Sequence, residues 1–133
     1  VDPTLLWPEM KVHFDVPGLD EPIFAVRNNL RVWEIETGET LRASGNSDSA
    51  GGVSGVNPTQ AQLVFDMPVS EITVWMRKWD STVQTSITLE VENGCYFIPL
   101  DGNSANYEVE VLYEPLDGIR YEATYVFYVE YPE

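Results

Sequence analysis

Apolar and polar residues alternate with period two in one stretch of this sequence after another, and no stretch carries a sustained apolar stripe at helical spacing. Met10, Val12, Phe14 and Val16 alternate with Lys11, His13 and Asp15. Ala61, Leu63, Phe65 and Met67 share one face of 60–67, with Gln60, Gln62, Val64 and Asp66 on the other. Over 71–79 the pattern turns Ile72, Val74 and Met76 inward. Over 105–113 it sets Tyr107, Val109, Val111 and Tyr113 against Asn106, Glu108, Glu110 and Leu112. The last segment, 120–131, is apolar on both faces, which suits a central strand. Successive side chains of a strand point to opposite faces, so each alternating run asks for one face on a core and one in water. Nine glycines and nine prolines punctuate these runs as many short strands require. The pattern predicts an all-β fold of about seven or eight strands, an immunoglobulin-like antiparallel β-sandwich forming one domain over 1–133.

Turn chemistry sharpens this expectation. Asn93-Gly94 supplies the two positive-φ positions of a type I′ hairpin turn. That register pairs Val91 with Tyr96, Leu89 with Ile98 and Ile87 with Leu100, giving a hairpin over 85–100. A second hairpin is predicted around Glu114-Pro115-Leu116-Asp117-Gly118, joining the last two strands. Asp101-Gly102 ahead of Tyr107-Glu108-Val109 resembles a tyrosine corner at the start of an F strand, with Val109 where the immunoglobulin cysteine would stand. Between 38 and 60 the alternation collapses into Ser44-Gly45-Asn46-Ser47-Asp48-Ser49-Ala50-Gly51-Gly52, which predicts a flexible loop.

The formal net charge of −15 argues against nucleic acid and against an anionic membrane surface as partners, because either would be repelled. No apolar run approaches the roughly 20 residues that span a bilayer, so contact with a membrane is expected only through a tether outside this segment. The opening Val1-Asp2-Pro3-Thr4 lacks a start Met and a signal region, and reads as a mature or trimmed chain. Cys95 is the only cysteine, so an intramolecular disulfide is excluded.

Catalytic chemistry finds little support. His13 is the only histidine, and neither Gly-x-Ser-x-Gly nor His-Glu-x-x-His occurs. A zinc site is disfavoured for the same reason, and no cofactor is implied. Cys95, at a turn exit, reads as structural. Asp101-Gly102-Asn103-Ser104-Ala105-Asn106 offers oxygen ligands at short spacing, but calcium loops carry more carboxylates and turn capping explains the segment without an ion. The strand over 71–79 carries the candidate ligand-binding residues. With Ile72, Val74 and Met76 inward, Trp75, Arg77 and Trp79 share the opposite face, where two rings flanking a guanidinium suit a planar or sugar-like ligand or a protein contact. Two bland readings compete: Arg77 packed between the rings, or Trp75 turned inward as the core Trp of the sandwich.

Val69-Ser70-Glu71-Ile72-Thr73-Val74, Trp79-Asp80, Val91-Glu92-Asn93-Gly94, Tyr107-Glu108-Val109 and Ala123-Thr124-Tyr125-Val126-Phe127-Tyr128-Val129 together resemble an uncharacterised domain of Gram-positive lipoproteins. Similar domains form the extracellular part of membrane-anchored regulatory proteins, including relatives of the metallopeptidase sensors that control β-lactamase. The resemblance covers about the last half of the chain, and Met10 to Ile35 more loosely. It implies an extracellular, cell-surface-anchored β-sandwich without catalytic residues, binding or sensing an unknown protein or glycan ligand. The rival expectations are a structural spacer and a carbohydrate-binding accessory domain of a larger enzyme.

Overall fold

A computed structural model describes residues 7–45 and 51–133. Twelve strands follow in chain order: β1 (Met10–Phe14), β2 (Ile23–Phe24), β3 (Val26–Glu34), β4 (Thr40–Ser44), β5 (Gly52–Ser54), β6 (Gln60–Phe65), β7 (Val69–Lys78), β8 (Gln84–Ile87), β9 (Glu90–Glu92), β10 (Cys95–Pro99), β11 (Ala105–Tyr113) and β12 (Ile119–Glu130). They form a sandwich of two sheets, a five-stranded one in the order β2-β1-β6-β10-β9 and a seven-stranded one in the order β4-β3-β12-β11-β7-β8, with β5 added beside β12. Every pairing is antiparallel except β5 with β12.

The expected all-β sandwich is therefore what the chain forms, and its order follows the immunoglobulin plan. β1, β6, β10 and β9 take the places of strands A, B, E and D; β12, β11, β7 and β8 take those of G, F, C and C′. The strand number exceeds the expected seven or eight because the chain detours between A and B. β2 extends the first sheet, the chain crosses at Ala25, whose N–H donates to the Met10 carbonyl at 3.0 Å, and the β3–β4 hairpin widens the second sheet beyond G. The span 38–60, expected as a loop, thus carries β4 and β5. β4 is an edge strand, exposed at all its positions but the half-buried Ala43, and β5 is three residues long. Neither is long or buried enough to leave an alternation in the sequence. Residues 46–50, in the middle of that span, and residues 1–6 lie outside the described residues.

The inward rows match the alternation. Tyr107, Val109, Val111 and Tyr113 of β11 and Tyr121, Ala123, Tyr125, Phe127 and Val129 of β12 are buried against Met10, Val12, Phe14, Ala61, Leu63 and Ile98 of the other sheet. Tyr107 stacks on Phe127, with ring centroids 5.0 Å apart and planes at 10°. It stands at the expected corner position, but its hydroxyl has no hydrogen-bond partner among the described residues. The buried polar connection lies further along the core. The Tyr125 hydroxyl donates to the Pro8 carbonyl at 2.6 Å and sits 2.6 Å from that of Tyr113, so these phenols are paired rather than orphaned. Burial pushes both phenols well above their usual pKa.

Both turns form as their residues dictate. Asn93 and Gly94 take φ values of 52° and 78°, Asp117 and Gly118 values of 51° and 76°, each a pair of left-handed residues. Val91 pairs with Tyr96 as expected. The register does not continue: Ile87 pairs with Val74 of β7, not with Leu100, because β8 belongs to the opposite sheet and the chain changes sheets at Thr88–Leu89. Val91 is consequently exposed on the edge strand β9 rather than on a shared apolar face. A tight turn fixes register only for as long as the two arms stay in one sheet.

Candidate functional site

The outer face of the seven-stranded sheet is built by the residues that the core rejects. On β7, Val74 and Met76 are buried while Thr73 and Arg77 are exposed and Trp75 is half-buried. Trp75 therefore faces outward and is not the core Trp of the sandwich. Antiparallel register then aligns outward neighbours across strands. Trp75 lies opposite Glu108 and Ser86, and Arg77 opposite Asn106 and Gln84. Trp79 follows the end of β7; its backbone N–H donates to the Ser104 carbonyl at 3.1 Å.

Trp79 is held, not loose. Its indole N–H donates to Asn106 Oδ1 at 3.0 Å, and its ring lies 6.3 Å from that of Tyr128, tilted by 44°. It nonetheless stays 46% exposed, so one face of a fixed ring remains open to solvent. Arg77 does not pack between the two tryptophans; its guanidinium reaches the Ser81 carbonyl at 3.5 Å, across the β7–β8 turn. Gln84 Nε2 donates to Glu108 Oε2 at 3.3 Å.

Two hollows open on this face and meet at Glu108. The first, about 330 Å³, is lined by Val26, Arg77, Gln84, Asn106, Glu108 and Tyr128 among others. The second, about 590 Å³, is lined by Asn29, Arg31, Arg42, Glu110, Glu122 and Thr124, again with Glu108. Arg31 and Arg42 are direct cross-strand partners on β3 and β4. Arg31 lies over the Trp33 ring, 4.2 Å from its centroid, and its Nε stands 3.6 Å from Glu122, an ion-pair distance rather than a hydrogen bond.

The structure thus places Trp75, Arg77 and Trp79 on one outward face, with Trp79 and Arg77 beside the first hollow. Sequence reasoning missed the partners from other strands: Tyr128, Asn106 and Gln84 around the first hollow, and Arg31, Arg42 and Glu110 around the second. Asn106 and Glu110 were already on the outward row of their strand; their meeting with β7 needed the sheet order. Gly51-Gly52 carried a signal of a different kind. A Cβ at Gly52 would collide with the Tyr128 carbonyl and ring, so the glycine admits β5 against the strand that carries this aromatic.

Asp101 and Asp15 cap local backbone. Asp101 accepts from the Asn103 N–H at 3.0 Å and pairs with Lys78 at 3.6 Å; burial pushes its carboxyl up, but those hydrogen bonds and the ammonium outweigh it and hold it below the usual range. Asp15 caps the start of β6, accepting from Thr59 N–H at 2.7 Å, Gln60 N–H at 3.0 Å and the Thr59 hydroxyl; partial burial is again outweighed and its pKa is lowered. His13 is half-buried on the outer side of β1, and Cys95 is a half-buried free thiol at the start of β10. No family model, curated protein or solved structure matches this chain.

Proposed function

We propose that this chain is a non-enzymatic binding module, the extracellular domain of a bacterial surface-anchored protein, and that it holds its ligand on the outer face of the seven-stranded sheet. The observation that carries the reading is Trp79. A tryptophan fixed by a hydrogen bond and a neighbouring ring, yet nearly half exposed beside a hollow, has little to do for the core and much to offer a partner. The inner rows of β7, β11 and β12 already fill the sandwich, so the outer aromatic row is free to serve recognition. A spacer domain has no need of such a row. The surface anchoring rests on the resemblance of the 63–131 segment to lipoprotein domains, and the negative charge is compatible with an exposed, soluble face outside the site.

The test is capture of an isolated Gram-positive cell-envelope fraction on immobilised protein. Wild type should retain envelope material, and Trp79→Ala should lose most of it while melting at nearly the same temperature. Equal retention by wild type and Trp79→Ala would remove this face from consideration.

A further inference from the structure

The geometry points to a neutral, extended glycan as the ligand, lying across both hollows from Trp79 to Trp33; this rests on the binding reading above. Charge selects against ionic polymers. The hollows are lined by Arg31, Arg42 and Arg77 on one side of the ledger and by Glu108, Glu110 and Glu122 on the other. Taken together they are neutral, and the whole surplus of −15 lies elsewhere on the chain. A polyanion would meet three carboxylates in the site and an acidic surface around it; a polycation would meet three guanidiniums.

Hydrogen-bonding chemistry favours a hydroxyl-rich ligand. Sugar hydroxyls both donate and accept. Guanidiniums and the amides of Asn29, Asn106 and Gln84 donate; Glu108, Glu110, Glu122 and the amide oxygens accept. A hydroxyl-covered polymer can satisfy these groups at once and leave water between them. A protein partner fits less well. It would have to desolvate six ionised side chains, whereas the buried centres of protein interfaces are depleted of charge.

The spacing of the rings suits an extended ligand. Trp79 and Tyr128 close one end, Trp75 faces Glu108 where the hollows meet, and Trp33 lies under Arg31 beyond the other end. Sugar rings present apolar C–H faces to such aromatics while their hydroxyls point sideways to polar groups. From Arg120, opposite Trp33, to Tyr128 the sheet runs about 27 Å at roughly 3.4 Å per residue, room for several sugar units in line. Glu108 lines both hollows, so the two adjoin along the sheet.

The experiment is native affinity electrophoresis in gels containing a soluble mixed-linkage β-glucan, a xylan or a mannan, with polygalacturonate as the anionic control. At least one neutral polymer should retard the wild type and polygalacturonate should not. Trp79→Ala beside the first hollow and Arg42→Ala in the second should each weaken the retardation by about ten-fold or more, with circular dichroism unchanged and melting nearly so. Oligosaccharides of the retarding polymer should bind more tightly with length until both hollows are filled. Retardation by none of the neutral polymers, or by polygalacturonate in preference to them, overturns the inference. So does indifference to Arg42→Ala, which would detach the second hollow. The two readings separate cleanly. Envelope capture that needs Trp79 but is destroyed by protease treatment of the envelope leaves the binding module standing and removes the glycan. Indifference of both assays to Trp79→Ala removes both.

Discussion

The inner and outer faces of β7, β11 and β12 are made by the same three strands, yet they follow different rules. Inward, the strands present Val74, Met76, Tyr107, Val109, Val111, Tyr125 and Phe127, all buried and packed without a charge among them. Outward, one residue away in each case, they present Trp75, Arg77, Asn106, Glu108, Glu110, Thr124 and Tyr128. Aromatics occur on both faces and mean opposite things. Phe127 is 2% exposed and stacked on Tyr107, whereas Trp79 just beyond β7 is pinned by Asn106 and left 46% exposed. A ring's identity does not tell packing from recognition; the strand's phase and the neighbouring strands do.

This contrast is most easily broken at Phe127. Phe127→Ala removes a stacked core ring and should destabilise the domain by about 3–5 kcal/mol, read by urea denaturation. A loss comparable to that of an outer-face residue would mean the two faces do not differ as described. Tyr125→Phe should cost about 1–3 kcal/mol, because it strands the Pro8 carbonyl and the Tyr113 hydroxyl that the phenol now serves.

The same phenols set a pH dependence. Burial raises the folded-state pKa of Tyr107, Tyr113 and Tyr125 above the unfolded value near 10. The folded state then holds its protons where the unfolded chain releases them, so this contribution is complete below about pH 10 and is lost as pH rises beyond it. Spectrophotometric titration should show these tyrosines ionising only together with unfolding; reversible ionisation of all seven tyrosines in the folded domain would refute the arrangement.

Gly52→Ala sharpens the comparison from the outer side. Its methyl group would push into Tyr128, and displacing β5 from β12 should cost about 1–3 kcal/mol while moving an aromatic of the candidate site. Smallest of all, Trp79→Ala should cost about 1 kcal/mol or less, since it gives up one exposed ring and one exposed hydrogen bond. A thermal scan showing the penalty of a buried Trp, about 3–5 kcal/mol, would make Trp79 a core residue and end its candidacy.

Much of the sandwich was legible before any coordinates. The alternation over 105–113 gave the buried row of β11 residue by residue, and the two-sided apolar run over 120–131 marked β12 as central, as its pairing with β11 and β3 bears out. Asn93-Gly94 announced its turn because few other dipeptides tolerate two left-handed residues in a row, and the hairpin expected around 114–118 closes at Asp117-Gly118 in the same way. Local chemistry and period-two patterning act within a few residues, and so they can be read in a line of text. The facing of Trp75, Arg77 and Trp79 followed from the same rule.

What tertiary structure alone decided is where the strands went next. Nothing around Thr88–Leu89 says that β8 and β9 lie in different sheets, because both pairings satisfy the hairpin locally. β4 and β5 form only because β3 and β12 offer them unpaired edges; a five-residue strand exposed on most positions and a three-residue strand are too short or too open to declare themselves by pattern. The hollows belong to this class as well. Arg31, Arg42, Asn106, Glu110, Tyr128 and Gln84 come from five strands, and no spacing along the chain encodes their meeting. Sequence fixes which side of its strand each residue occupies through stereochemistry. Only the competition among sheet edges for hydrogen bonds and buried area decides which strands become neighbours, and with them the composition of a site that spans the sheet.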